Sequence, residues 1–210
     1  MKIGILGAGN VGGTLGTRWA RGGHEVVFAS RHPEAEEMRE LIAKAGPTAR
    51  AGSIAEAIAS SEILALTTPW SAVRDVLTGA GNLAGKILID ATNPLLPRLE
   101  GLEVGMSTSG GELVAGWAPG ARVVKAFNTV GYNIMADPAF GAARPVMFYC
   151  GDGRAAKQTV AQLAGELGFD PQDAGPLKQA RVLEPFALLW ISLAVQYGFG
   201  RDISFQFLRR

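Results

Sequence analysis

Six residues near the amino terminus, Gly7-Ala8-Gly9-Asn10-Val11-Gly12, carry a G-x-G-x-x-G spacing that can hold a pyrophosphate. The first glycine permits a tight turn, the second lets the backbone approach the phosphates, and the third lets a helix pack closely on a strand. By itself such a hexamer arises by chance. Here it directly follows the apolar run Ile3-Gly4-Ile5-Leu6 and opens a pattern with Val11, Leu15 and Trp19 on one face. That is the strand–turn–helix setting the chemistry requires. Free N–H groups at the helix start, together with the helix dipole, favour the phosphate charge.

The end of the second strand decides which dinucleotide fits. A carboxylate about 20 residues past the glycines would accept from a ribose 2′-OH and repel a 2′-phosphate. The tip reads Phe28-Ala29-Ser30-Arg31-His32, without an acid. Arg31 can grip a 2′-phosphate through paired hydrogen bonds and Ser30 can add one more, so NADP(H) is the expected dinucleotide. A solvated loop arginine is the plainer reading of Arg31, but it leaves the missing acid unexplained.

Four more strand ends carry distinctive loops: Thr67-Thr68-Pro69-Trp70, Ala91-Thr92-Asn93-Pro94, Phe127-Asn128-Thr129 and Cys150-Gly151-Asp152. In a doubly wound sheet, ligands sit outside the carboxyl ends of the strands. Thr68, Pro69, Asn93, Asn128 and Thr129 are therefore expected around the nicotinamide, with Trp70 as a wall. Each loop alone is also good capping or turn chemistry; their joint occurrence is what informs. There is no Tyr-x-x-x-Lys pair, and neither His24 nor His32 falls at such a strand end, so no catalytic acid is assigned. Lys125 stands equally open to a site role or to pointing outward at a strand end. A conjugated ring that accepts hydride needs alignment more than acid–base help, and it suits these residues better than a carbonyl does.

The elements that must position these groups alternate. Strands are expected at residues 2–6, 25–30, 63–67, 87–91, 122–126 and 146–150. Helical patterns occupy 10–21, 33–45, 54–59, 71–78 and 111–117. Right-handed crossovers then give an α/β, doubly wound parallel sheet of the Rossmann type over residues 1–143. Residues 144–210 are expected as a small C-terminal α+β lobe: a helix at 154–167, a turn-rich stretch at 169–176, a long apolar helix near 182–198, and an alternating tail at 203–207 resembling an edge strand.

Composition excludes several classes. With 20 basic and 19 acidic residues there is no electrostatic footprint for nucleic acid or an anionic membrane. One cysteine and two histidines leave no conventional metal cage, and the lone Cys150 fits a reducing, cytoplasmic setting. The longest apolar stretch, 185–199, is shorter than the roughly 20 residues a membrane-crossing helix needs, and reads instead as buried in the protein or at a dimer interface.

Taken together, the motifs resemble the NADPH:deazaflavin (coenzyme F420) oxidoreductases along nearly the whole chain. The likeness covers residues 7–12, Ser30-Arg31, Thr68-Pro69-Trp70, Asn93-Pro94, Phe127-Asn128-Thr129, Cys150-Gly151-Asp152, the specific run Asp173-Ala174-Gly175-Pro176-Leu177 with Ala180-Arg181 and Leu183-Glu184, and the 198–208 tail. The resemblance implies a Rossmann domain with a small C-terminal lobe, a homodimer, and deazaflavin against the nicotinamide between the lobes, with Pro176 and Leu177 facing that acceptor. Where those enzymes carry His-Thr, this chain has Asn128-Thr129. The Ala-Phe-Asn-Thr form is similar to the soluble NADPH domains of six-transmembrane metalloreductases, which use ordinary flavin. The amino-terminal pattern also resembles pyrroline-5-carboxylate reductases, whose helical dimerisation domain the tail does not match. The expected partner is a small-molecule redox acceptor, coenzyme F420 or flavin. The alternatives are an NADPH-dependent flavin or ferric reductase and a non-catalytic NADP(H)-sensing binding protein.

Overall fold

Short runs that are apolar on both faces can be stable only between two helical layers, and that is where the chain puts them. The computed structural model describes residues 1–210. The strands are β1 (Lys2–Leu6), β2 (Glu25–Ala29), β3 (Ala49–Gly52), β4 (Ile63–Leu66), β5 (Ile87–Asp90), β6 (Arg122–Lys125), β7 (Val146–Gly151) and β8 (Asp170–Asp173). They form one sheet in the order β3-β2-β1-β4-β5-β6-β7-β8. All neighbours are parallel except β6 and β7. The order turns back at β1/β4, the switch point at which such sheets open a ligand crevice.

Helices α1 (Asn10–Arg21), α2 (Glu36–Ala45), α6 (Tyr132–Ala136) and α7 (Arg154–Glu166) cover one face. Helices α3 (Ile54–Ser60), α4 (Trp70–Thr78), α5 (Gly110–Trp117) and α8 (Ala180–Ile191) cover the other. The larger core lies under the first layer. It joins Trp19 and Phe28 to Phe127, Leu163 and Phe169, so the segment after residue 143 shares a core with the segment before it. Trp19 meets the edge of Phe127 at 5.7 Å, and Phe127 meets Phe169 at 6.5 Å.

The expected doubly wound sheet is present, and three elements add to it. β3, α6 and β8 are all short, and β3 and β8 are the two edges. The tail is corrected: β8 takes the edge position, while residues 203–207 form no ladder. They are held by single bonds, Val146 N–H to the Phe205 carbonyl at 2.9 Å and Trp190 Nε1–H to that of Ile203 at 2.8 Å. The long apolar helix begins at Ala180 and passes into a π-helical turn over Ser192–Gln196. No helix is long and apolar enough to cross a membrane.

Candidate active site

The glycines of the first loop have separable reasons to be glycine. Gly7 has φ +113°, and a Cβ there would lie 2.7 Å from the Thr68 nitrogen. At Gly12 a Cβ would lie 2.0 Å from the Gly7 carbonyl oxygen, so α1 could not seat on β1. Gly9 differs. Its φ of −74° suits any residue, and no heavy atom lies within 4 Å of where its Cβ would be. Neither backbone nor packing demands glycine at that position, and the space a side chain would take is open. Gly9 caps α1 with no side-chain bond, and the first intrahelical bond runs from Gly13 N–H to the Gly9 carbonyl at 2.6 Å. The N–H groups of Asn10, Val11 and Gly12 therefore have no partner within the helix, the setting in which a helix start can hold an anion. Ala8 and Val11 pack against the edge of the core.

Beside this loop, Ser30 and Arg31 share a cavity of about 580 Å³ with Gly7, Ala8, Thr68 and Pro69. Ser30 Oγ accepts the His32 N–H at 3.0 Å, which folds the tip and leaves Arg31 exposed. Trp70 does not line this cavity. Its ring lies 5.6 Å from that of Trp117, and its Nε1–H donates to Glu103 Oε2 at 3.0 Å. It buttresses the loop between β5 and α5 from the first residue of α4.

On the far side of the switch point, Thr67 Oγ1 donates to the Gly7 carbonyl at 2.7 Å and ties the β4 loop to the glycine loop. Asn93 and Asn128 bond reciprocally: Asn93 Nδ2 donates to the Asn128 carbonyl at 2.8 Å, and Asn128 Nδ2 donates to Asn93 Oδ1 at 3.1 Å. Asn128 Nδ2 also reaches the Leu183 carbonyl on α8 at 3.3 Å. The turn that presents Asn128 is strained, since the preceding Phe127 has φ +63°, rare for a bulky residue. Its N–H finds Met147 Sδ at 3.2 Å, and its ring is locked in the aromatic core. Thr129 is buried. Six buried side-chain polar atoms have no partner in the chain, and two of them are Thr68 Oγ1 and Asn128 Oδ1. Unsatisfied buried groups are expensive, and these two belong to residues of the expected nicotinamide set.

Beneath the amides lies a charge cluster absent from the sequence reading. Lys125 Nζ sits 2.9 Å from Asp90 Oδ2 and 2.8 Å from Glu184 Oε1, with all three side chains essentially inaccessible to water. Asp90 Oδ1 also accepts from the Thr92 N–H at 2.9 Å and Oγ1–H at 2.6 Å. Glu184 accepts the Gly110 and Gly111 N–H groups at the start of α5, both at 2.9 Å. Burial acts to lower the Lys125 pKa, but Asp90 and Glu184 outweigh it and hold the ammonium above its usual value. Lys125 is thus a structural cation joining β5, β6, α5 and α8, not an open acid. The sequence signals were Asp90 closing the apolar strand ILID and Glu184 inside an apolar helix.

Two further expectations are relocated. Because β7 runs antiparallel to β6, Cys150 pairs with Lys125 and Gly151 with Val124, so Cys150-Gly151-Asp152 points away from the crevice. Leu177 is buried in the core, and its N–H is held by Asp152 Oδ1 at 2.9 Å. It does not face an acceptor. The Cys150 thiol, pushed up to about 12 by burial, is inert.

Comparison with known proteins agrees with this geometry. Residues 2–94 match the family described as NADP oxidoreductase, coenzyme F420-dependent. Over the whole chain the protein is 32% identical to the rat metalloreductase STEAP3 and 29% identical to human STEAP2. It spans 44% and 43% of those proteins, less than half the length of the curated relatives it matches. A crystal structure from Arthrobacter sp. FB24, described as that of a candidate F420-dependent NADP reductase, superposes over all of both chains with a TM-score of 0.89 at 34% identity. A hypothetical protein from Sinorhizobium meliloti, 26% identical, superposes over the whole chain and 96% of its own, with a TM-score of 0.78.

Proposed function

The chain belongs to the coenzyme F420-dependent family of NADP oxidoreductases, and from that premise we propose that it transfers hydride between NADP(H) and a deazaflavin of the coenzyme F420 type. The observation that carries this reading is how the buried charges at the crevice are used. Lys125, Asp90 and Glu184 are spent on one another, and the loops above them offer amides and hydroxyls. A carbonyl substrate would need a positioned proton donor. A ring acceptor needs a fixed stacking geometry.

The dinucleotide fits the residues present. The space at Gly9, which a side chain would fill, accepts the pyrophosphate, and the α1 N–H groups hold its charge. Arg31 and Ser30 take the 2′-phosphate. Thr68 and Asn128, with their unpartnered oxygens, and Asn93, Pro69 and Thr129 hold the carboxamide side. When bound, NADPH supplies a hydride, which the acceptor ring takes up with one proton from solvent. The protein's share is alignment: the Asn93–Asn128 pair fixes two loops against each other, and the Lys125 cluster fixes both against α8.

A second acceptor is favoured by one feature. Asn128-Thr129 departs from the deazaflavin pattern, and the likeness of this whole chain to part of the metalloreductases supports ordinary flavin. The discriminating experiment follows NADPH absorbance at 340 nm with purified protein and coenzyme F420, FMN or FAD. Turnover on F420 supports the first reading and turnover on FMN or FAD alone the second; oxidation of NADPH by none of them refutes both. The reading includes a homodimer, supported by Val182 and Leu189, which stay 60% and 48% exposed on the outer side of α8. A monomer of 22.0 kDa in light scattering would refute that part.

A further inference from the structure

The cavity that holds Arg31 and Ser30 has a wall of opposite charge. Ala72, Asp75 and Val76 of α4 line it, and their spacing of three and four places them on one face of the helix. Ile54, at the start of α3, adds another apolar surface. Asp75 is exposed, and only its backbone carbonyl is engaged, accepting the Gly79 N–H at 3.0 Å and the Thr78 hydroxyl. It forms no ion pair with Arg31, although both line the same cavity. A free carboxylate inside a phosphate-binding cavity costs affinity unless something there donates to it, because it repels the phosphate that Arg31 attracts.

We infer that Asp75 reads the base of the dinucleotide, accepting an N–H from the 6-amino group of adenine. Resting on the NADP(H) reading, the inference deepens it. Ile54, Ala72 and Val76 give a planar base the apolar contact its faces need, and the carboxylate gives its edge the one polar group that separates adenine from guanine or hypoxanthine. Those two bases carry a carbonyl oxygen at position 6, which would meet Asp75 acceptor to acceptor. A charge-assisted bond made or lost at this edge is worth roughly tenfold or more in affinity.

The test measures dissociation constants by tryptophan fluorescence for NADPH and for its analogue with hypoxanthine in place of adenine, without any hydride acceptor. The wild-type chain is expected to bind NADPH at least roughly tenfold more tightly than the analogue. Asp75→Ala should bring that ratio close to one by weakening NADPH and relieving the analogue. Asp75→Asn should also level it, since an amide can turn to accept from one base or donate to the other. As the Asp75 side chain holds nothing in the fold, both variants should melt like the wild type. A wild-type ratio near one, or a ratio unchanged in Asp75→Ala, overturns the inference while leaving the NADP(H) reading in place. Failure of the wild-type chain to bind either nucleotide overturns both.

Discussion

Replacing Lys125 with methionine keeps most of the side-chain length and removes the charge. Asp90 and Glu184 would then be two carboxylates with 0% and 1% side-chain exposure and no cation between them. Removing one member of a buried ion pair costs about 3–5 kcal/mol. For a chain of this size each kcal/mol lowers Tm by roughly 2–4 °C, so a fall on the order of 6–20 °C is expected at neutral pH. The pH dependence identifies the cause. In the wild type the Lys125 pKa is raised, so its contribution is complete below the ordinary lysine value of about 10.4 and is lost only as pH rises through the folded value. It is therefore flat between pH 5 and 8. In Lys125→Met two buried negative charges face each other with no cation between them, a cost that protonation relieves. The deficit against wild type should shrink steadily as pH is lowered from 8 to 5. Thermal melts followed by circular dichroism across that range measure it. A loss below about 1 kcal/mol, or a deficit independent of pH, would refute the account of Lys125 as the counter-charge.

Gly9→Val should melt within a few degrees of wild type, given the empty space around it, yet lose NADPH binding in a fluorescence titration; retained affinity in the folded variant would count against the pyrophosphate site. Gly12→Val should instead lower Tm sharply, because its Cβ would sit 2.0 Å from the Gly7 oxygen. Arg31→Asp should weaken NADPH far more than NADH, and an equal loss for both would dismiss the 2′-phosphate contact. With its thiol at about 12 and no exposure, Cys150 should react with a disulfide reagent at pH 8 only as the chain unfolds; rapid labelling of the native protein would contradict its burial.

The loops that converge at the switch point were legible in the sequence where they follow from local backbone. The glycine loop, the acid-free tip at Ser30-Arg31 and the loops at Thr68, Asn93 and Asn128 all follow strands that alternate with helices, and the switch point gathers them. Elements with weak local signals were not legible. β3 is Ala-Arg-Ala-Gly, held only by β2, and β8 is Asp-Pro-Gln-Asp, a polar strand tolerated because it lies at an edge. The direction of β7 depends on which way a 20-residue connection returns, and no residue within it states that. Its reversal moved Cys150-Gly151-Asp152 out of the crevice. Lys125 and Asp90 of the cluster lie 35 positions apart and its Glu184 reaches back 74 positions to Gly110, so no window along the chain could display it.

The shared core has a consequence for cutting the chain. Trp19, Phe127 and Phe169 stack across residue 143, while the connection at that point is a surface turn, with Gly141 and Ala142 exposed and Gly141 at φ +60°. A break there severs one covalent link but none of the packing. Residues 1–141 and 142–210 produced separately would each show half of an aromatic interior to water and aggregate. Produced together, they should find each other and restore a single folded unit, a split pair whose reassembly can report on whether two fused proteins meet.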